Sequence, residues 1–358
     1  MRAVIVPRAV VMVAVFASLI GCAGLTQIKD PVSKFDQATH TVSSAEMAFL
    51  RAGQTLDCNY QFYELAFEFA ADTAPKPAKS FVTSAQCTPN VLTDGDLLIR
   101  QKLLDAITLY ADQLQAIAAG GADKTLASEG QTAATDFNNL MKNQDVLKAA
   151  KTTSLPADVE AAVVALFGMA LTAKEFKEVK EAAAGTSGNL CEVVRTLEYE
   201  NSILASNMSA KVATIGLELD TSIAMMKETG TLALVEGPSD PRFAGKPPGS
   251  PSAHLARTND YGVLFSAVEA RQILQSLGSL GGTATATPAA APSCPSPLTK
   301  SQTAGSGTVQ QLNAALEALL AANTAIANAS STGSLAAATS DFAARAQAAH
   351  SMATTLAK

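Results

Sequence analysis

Residues 204–226 read LASNMSAKVATIGLELDTSIAMM and carry a regular stripe of apolar side chains. The stripe residues follow one another at spacings of four, four, three, four, four and three: Leu204, Met208, Val212, Ile215, Leu219, Ile223 and Met226. An eleven-residue repeat of this kind, at about 3.67 residues per turn, keeps one face of an α-helix turned towards a partner. The stripe therefore predicts a long helix that other helices must cover.

The periodic run extends in both directions, from about 189 to about 235, and a helix of that length approaches about 70 Å. Seven further segments carry helical periodicity or capping signals: 33–72, 93–119, 131–151, 156–184, 253–280, 308–329 and 334–356. No segment alternates convincingly as a strand does. The sequence therefore predicts an all-α protein, an elongated bundle of about seven to eight helices with long Pro/Gly/Ser-rich loops.

The composition suits close packing of helices. Of the 358 residues, 48% are hydrophobic and only 5% aromatic, with no tryptophan. Alanine-rich faces pack tightly because alanine is small and has the best helix propensity. A ligand-binding pocket, by contrast, is usually lined by aromatic side chains. The formal net charge is −6 and no block of lysine or arginine occurs, so we expect no nucleic-acid partner.

The first 22 residues have the parts of a secretory signal. Arg2 and Arg8 give a positive start, residues 9–20 form a short apolar run, and Leu19-Ile20-Gly21-Cys22 ends it. A transmembrane anchor is the alternative, but spanning a bilayer takes about 20 apolar residues. The four-residue motif resembles the lipobox of bacterial lipoproteins.

The lipobox resemblance implies cleavage before Cys22 and attachment of diacylglycerol and an acyl chain such as palmitate to that cysteine. Several chains give stable anchoring, because a single chain binds a bilayer only marginally. Ala23 stands where inner-membrane lipoproteins of this kind carry a retention aspartate. The resemblance therefore favours the outer membrane, with the protein facing the periplasm, over the inner membrane.

The expected organisation has four parts. Residues 1–21 form the lipoprotein signal peptide and 22–32 a linker to the anchor. Residues 33–304 form the helical bundle. Residues 305–358 form an alanine-rich helical hairpin that packs on the bundle.

Four cysteines remain besides Cys22, namely Cys58, Cys87, Cys191 and Cys294. In an oxidising compartment an even number suggests two disulfides, and four cysteines allow three pairings. We favour Cys58–Cys87 with Cys191–Cys294, because each bond would then tie a helical segment to a Pro- or Ser-rich connection. The sequence alone does not choose among the pairings.

Recognisable catalytic signatures are missing from the sequence. The three histidines, His40, His254 and His350, stand apart from one another and outside zinc-protease or di-iron motifs. No GxSxG, GxxxxGK or GxGxxG sequence occurs. We therefore expect no enzyme activity, no cofactor and no metal, with Glu64 and Glu68, four residues apart, as the one weak candidate for acid–base work or metal binding.

The cluster of aromatic residues over 60–69 is the best candidate for an interaction site. Core packing explains part of it, but Tyr60, Tyr63 and Phe67 wrap further round the helix than one buried face needs. Aromatic side chains are enriched at protein interfaces. We expect a structural or protein-interaction component of the cell envelope, with envelope proteins as partners; the alternative is a lipoprotein that binds a small ligand between its helices.

Overall fold

The computed structural model describes residues 9–71, 87, 89, 92–120, 124–143, 155–168, 176–229, 294, 307–329 and 332–356. For 9–27, 62–71 and 215–229, and for the single positions or pairs 59, 124, 176–177, 208–209, 212–213, 332 and 356, the description covers the backbone alone. No described residue lies in a strand. The described residues form seven α-helices: α1 (Ala9–Ala71), α2 (Asp94–Ala118), α3 (Lys124–Lys142), α4 (Ala157–Phe167), α5 (Phe176–Thr229), α6 (Thr308–Ala327) and α7 (Thr332–Leu356). The prediction of an all-α helical bundle is confirmed.

The helices pack around one hydrophobic core to which all seven contribute. Helix α1 lies against α7 and α2, α5 lies against α6 and α4, and α2 also contacts α5. Helix α3 covers α4 and α2, and α6 packs on α7 across the short connection at 328–331. The long helices α1 and α5 are therefore bridged by α2 on one side and by the α6–α7 pair on another.

Aromatic rings from different helices pack against one another at two places. The Phe35 ring of α1 meets Tyr110 of α2 edge-on at 6.4 Å between centroids, and it lies 5.7 Å from Phe342 of α7. Phe137 of α3 lies 6.4 Å from Phe167 at the end of α4. All five rings are fully buried, and edge-on aromatic pairs add about 1 kcal/mol beyond their burial.

Both ends of α2 lie where the sequence signals predict them. Thr93 is the N-cap, and its hydroxyl accepts from the Asp96 backbone N–H while the Asp96 carboxylate accepts from the Thr93 backbone N–H at 2.9 Å. This capping box satisfies two amide groups that the first turn leaves free. At the other end Gly120 has φ +81°, a left-handed conformation that glycine adopts without a steric penalty.

Helix α1 begins earlier than the sequence signals indicate. We expected a helix from Ser33 after a linker over 22–32, but α1 is continuous from Ala9, passes through Pro31, and has Ser33 in its interior. Ile28 and Val32 are buried and continue the stripe of Phe35. Their burial stabilises the turns over 28–32 and outweighs the local capping signal at Ser33.

The helix break expected at 185–188 is wrong. Helix α4 ends at Phe167 instead, α5 begins at Phe176, and Gly185 and Gly188 lie inside α5. Glycine lowers helix propensity by only about 1 kcal/mol. Val179, Ala183 and neighbouring residues of α5 are buried in the core, so their packing carries the helix through both glycines.

Other boundaries differ less. Helix α3 spans Lys124–Lys142 where we expected 131–151. Helix α5 is described as far as Thr229, and its expected continuation to about 235 lies outside the described residues. The expected helix at 253–280 lies outside the described residues. Within the described part of the chain, no helix combines the length and apolar character needed to cross a bilayer.

Candidate functional site

A layer of buried polar residues lies where α1, α2, α5 and α6 meet. We call it the polar layer and define it by six residues: Glu46, Asp96, Arg100, Glu200, Asn201 and Asn313. Most of these side chains are almost fully enclosed, as ordinary core residues are. Charged groups are rarely buried to this extent unless they are paired, so the layer is the most unusual chemical feature of the core.

Arg100 of α2 is the centre of the polar layer. Its side chain is 5% exposed, its Nε lies 3.0 Å from Glu200 Oε2 of α5, and its Nη1 donates to the Asp96 carbonyl oxygen at 3.0 Å. The same Nη1 lies 3.7 Å from the Asp96 carboxylate. One guanidinium therefore joins α2 to α5 and faces two carboxylates in a low-dielectric interior, where an ion pair is stronger than in water.

Glu46 of α1 carries the unpaired end of the polar layer. It is fully buried, and neither carboxylate oxygen has a hydrogen-bond partner among the described residues. Burial raises the pKa of Glu46 to about 8; the neighbouring Asn201 lowers it, the charge of Glu200 raises it and the charge of Arg100 lowers it. At neutral pH this carboxyl is therefore mostly protonated in the folded protein.

Amide side chains complete the polar layer towards α6. Asn201 Nδ2 donates to Asn313 Oδ1 at 3.3 Å, which joins α5 to α6 within the core. Burial also raises the pKa of Glu200, opposed by the charge of Arg100. The layer thus joins α2 to α5 through Arg100 and Glu200, joins α5 to α6 through the two asparagines, and has the buried Glu46 carboxyl of α1 beside them. Buried polar contacts of this kind favour one pairing of the helices.

A second buried ion cluster lies nearer the N-terminus of α5 than the polar layer does. Arg195 Nη1 donates to Glu198 Oε2 at 2.5 Å and also to Glu317 Oε1 of α6, while Arg195 Nη2 donates to Glu317 Oε2 at 3.2 Å. Burial raises the pKa of Glu198 to about 8, and the charge of Arg195 opposes that shift. This bidentate pairing holds α5 against α6.

Three potential metal ligands meet on the outer side of α1 and α2. Asp36 and His40 stand one helical turn apart on α1, and Asp112 comes from α2. His40 Nε2 lies 2.9 Å from Asp112 Oδ1 and 3.7 Å from Asp36 Oδ1. Burial, together with hydrogen bonding to Asp112 and its charge, raises the pKa of Asp36 to about 6, and the charge of His40 opposes this. We call these three residues the α1–α2 cluster.

The favoured pairing of four cysteines is confirmed. Cys58 of α1 is bonded to Cys87, and Cys191 of α5 is bonded to Cys294. Each bond ties a helix to a connecting segment. The side chain of Cys22 lies outside the described residues.

Of the three aromatic interaction candidates, the structure describes the side chain of Tyr60. It is partly buried against the core, and the Lys211 ammonium of α5 lies 4.6 Å from its ring centroid. Lys211 also forms an ion pair with the buried Asp57. Tyr60 therefore packs within the protein, while the side chains of Tyr63 and Phe67 lie outside the described residues, as do those of Glu64 and Glu68.

The sequence analysis missed both the polar layer and the α1–α2 cluster. Glu46 occupies a position of the apolar stripe of α1, one turn after Val42 and one turn before Leu50, both buried. A carboxylate in such a stripe was the available signal. For the cluster, the one-turn spacing of Asp36 and His40 was visible in the sequence, but their partner Asp112 is 72 residues from His40.

Comparison with protein-family models, with curated proteins and with solved structures finds no match to this chain.

Proposed function

We propose that this protein is a lipid-anchored helical component of the bacterial cell envelope, held by acyl chains on Cys22 and facing the periplasm from the outer membrane. Its role is structural or lies in binding other envelope proteins, without catalysis. The observation that carries the proposal is the use of the cysteines. The chain has five, four of them pair in two disulfides, and the remaining one is the cysteine of the lipobox.

The disulfides support an exported protein, because such bonds persist in oxidising compartments and are rare in the cytosol. On the chain-entropy account the separations of 29 and 103 residues correspond to stabilisation of about 3.5 and 4.5 kcal/mol. A folded domain cross-linked by two disulfides suits a structural or protein-binding role. The paired charges inside the bundle support the same role, since Arg100 joins α2 to α5 and Arg195 joins α5 to α6.

Acylation of Cys22 is tested by metabolic labelling with an alkyne analogue of palmitate, followed by mass spectrometry of the mature N-terminus. We expect label on the wild type and none on Cys22→Ser. The matched control replaces both Cys191 and Cys294 by serine, which removes two cysteines without touching the lipobox and should keep the label. A mature N-terminus without acyl groups contradicts the proposal.

The choice of membrane is tested by density fractionation of the envelope. Wild-type protein should sediment with outer-membrane markers, and Ala23→Asp should move it to the inner membrane. If both forms remain with the inner membrane, the outer-membrane part of the proposal is wrong while the anchor itself stands.

Partner binding is tested by placing a photo-crosslinking amino acid at Tyr63 or Phe67 in living cells. We expect one of these positions to trap a defined envelope protein. The control position is Ser128, an exposed residue of α3. Equal products from all three positions, or none from any, contradict an interaction site in the aromatic cluster.

The second candidate function is binding of a small ligand between the helices. Glu46 favours it, because its two buried oxygens have no hydrogen-bond partner in the part of the chain that the structure describes, and a small cationic or hydrogen-bond-donating ligand would supply one. Native mass spectrometry of protein released gently from membranes discriminates the two functions. A stoichiometric added mass that Glu46→Gln abolishes supports the ligand-binding function.

A further inference from the structure

The α1–α2 cluster brings three metal-binding side chains from two helices to one place. The ligand atoms of Asp36, His40 and Asp112 all lie within 4.8 Å of one another. Around a tetrahedral zinc ion with bonds of about 2.0 to 2.2 Å, neighbouring ligand atoms are separated by about 3.4 Å. The distances of 2.9 and 3.7 Å from the imidazole nitrogen lie on either side of that value.

A second observation points to a cation as the ligand of this cluster. The Asp36 side chain is 9% exposed and shares a hydrogen bond with Asp112, but its buried Oδ1, 3.7 Å from His40 Nε2, has no hydrogen-bond partner among the described residues. Within the described part of the chain, no lysine or arginine lies within ion-pair distance of either Asp36 or Asp112. Two carboxyl groups therefore meet beside a single imidazole, and a divalent cation would satisfy the buried oxygen and offset both charges.

The donor set indicates which cation fits. One imidazole nitrogen and two carboxylate oxygens form a mixed nitrogen–oxygen set that suits zinc and its neighbours among divalent transition metals, whereas calcium takes six to eight oxygen ligands. His40 and Asp112 are 52% and 33% exposed, so an ion can enter from solvent and water can occupy its remaining position. Asp36, by contrast, is buried, with its side chain 9% exposed.

We infer that Asp36, His40 and Asp112 form a binding site for one Zn²⁺ ion that clamps α1 to α2. The site does not depend on the lipid anchor, and its two helices are the ones that the buried Phe35–Tyr110 contact already holds together. Binding to the folded state alone raises the stability of the whole bundle, because the unfolded chain does not bring the two helices together.

The site is tested by isothermal titration of the purified mature protein, in detergent and after treatment with EDTA, with ZnCl₂ and separately with MgCl₂. We expect one Zn²⁺ per chain and no measurable Mg²⁺ binding. His40→Ala and Asp112→Asn change exposed ligands and should each weaken Zn²⁺ binding by more than about tenfold, since even the outer partners of metal ligands contribute about 10- to 100-fold.

The matched control is His350→Ala, which removes a histidine of α7 far along the chain from the site and should leave Zn²⁺ affinity unchanged. Circular dichroism and melting without metal establish that each variant folds. Co²⁺ provides an independent probe, because its visible absorption should appear with the wild type and disappear with His40→Ala. Absence of Zn²⁺ binding to the wild type, or equal affinity in wild type and His40→Ala, overturns the inference.

Discussion

Replacing Glu46 by glutamine should change how the stability of the protein depends on pH. The pKa of Glu46 is raised from 4.5 to about 8 in the folded protein, so the folded state holds a proton that the unfolded chain releases above about pH 4.5. The contribution of this bound proton to the free energy of unfolding is fully present below pH 4.5 and is lost as the pH rises towards 8. Glutamine has nearly the same shape and does not titrate.

The size of the effect follows from these two pKa values. Proton linkage makes burial of the Glu46 carboxyl cost less than about 1 kcal/mol at pH 5 but about 4 kcal/mol at pH 8. The stability of Glu46→Gln relative to wild type should therefore rise by about 3 kcal/mol over this interval. Glu198 and Glu200 titrate in both proteins, so their contributions largely cancel in the difference.

Urea unfolding monitored by circular dichroism at pH 5, 6, 7 and 8 measures this difference. Glu129→Gln, at an exposed position of α3, is the matched control and should track the wild type at every pH. A constant offset between Glu46→Gln and wild type across the four pH values refutes the reasoning, because it would show that Glu46 ionises as readily inside the protein as outside.

Three further substitutions test the packing by urea unfolding. Tyr110→Phe should destabilise by about 1 to 2 kcal/mol, because the Tyr110 hydroxyl donates to Asn323 Oδ1 in the core, and an unchanged midpoint would contradict this. Gly130→Ala should destabilise by about 2 kcal/mol, because its Cβ would lie 2.2 Å from the Phe167 carbonyl oxygen; stabilisation would mean that α3 and α4 separate easily. Gly185→Ala meets nothing within 4 Å and should stabilise α5 by about 0.5 to 1 kcal/mol; a loss would contradict a continuous helix there.

The helices were predictable where apolar periodicity was strong. The start of α2 at Thr93 and its end near Gly120 follow from local signals that the surrounding structure does not oppose. The favoured disulfide pairing is the one in the structure, but the sequence left three arrangements open and only a preference for restraining long connections pointed to it. The break placed at Gly185 was wrong because the packing of α5 outweighs a penalty of about 1 kcal/mol.

The buried charges could not be derived from sequence patterns. Arg100 and Glu200 belong to different helices, and each on its own resembles an ordinary solvent-facing residue of an amphipathic helix. Their burial depends on how α2 and α5 approach, which periodicity does not encode. The same limit applies to Asp112, whose proximity to His40 arises only when α1 and α2 pack together.

Under the proposed anchoring at Cys22, the burial of Ile28 would limit how far the bundle stands from the bilayer. An acyl group on Cys22 would be only six residues from Ile28, the first residue whose side chain the structure describes, about 9 Å along a helix and about 20 Å if those residues were extended. The folded part would therefore rest on the lipid headgroups and diffuse in two dimensions. Partners in the same leaflet would meet it at a high effective concentration, so even weak contacts with them would be occupied for much of the time.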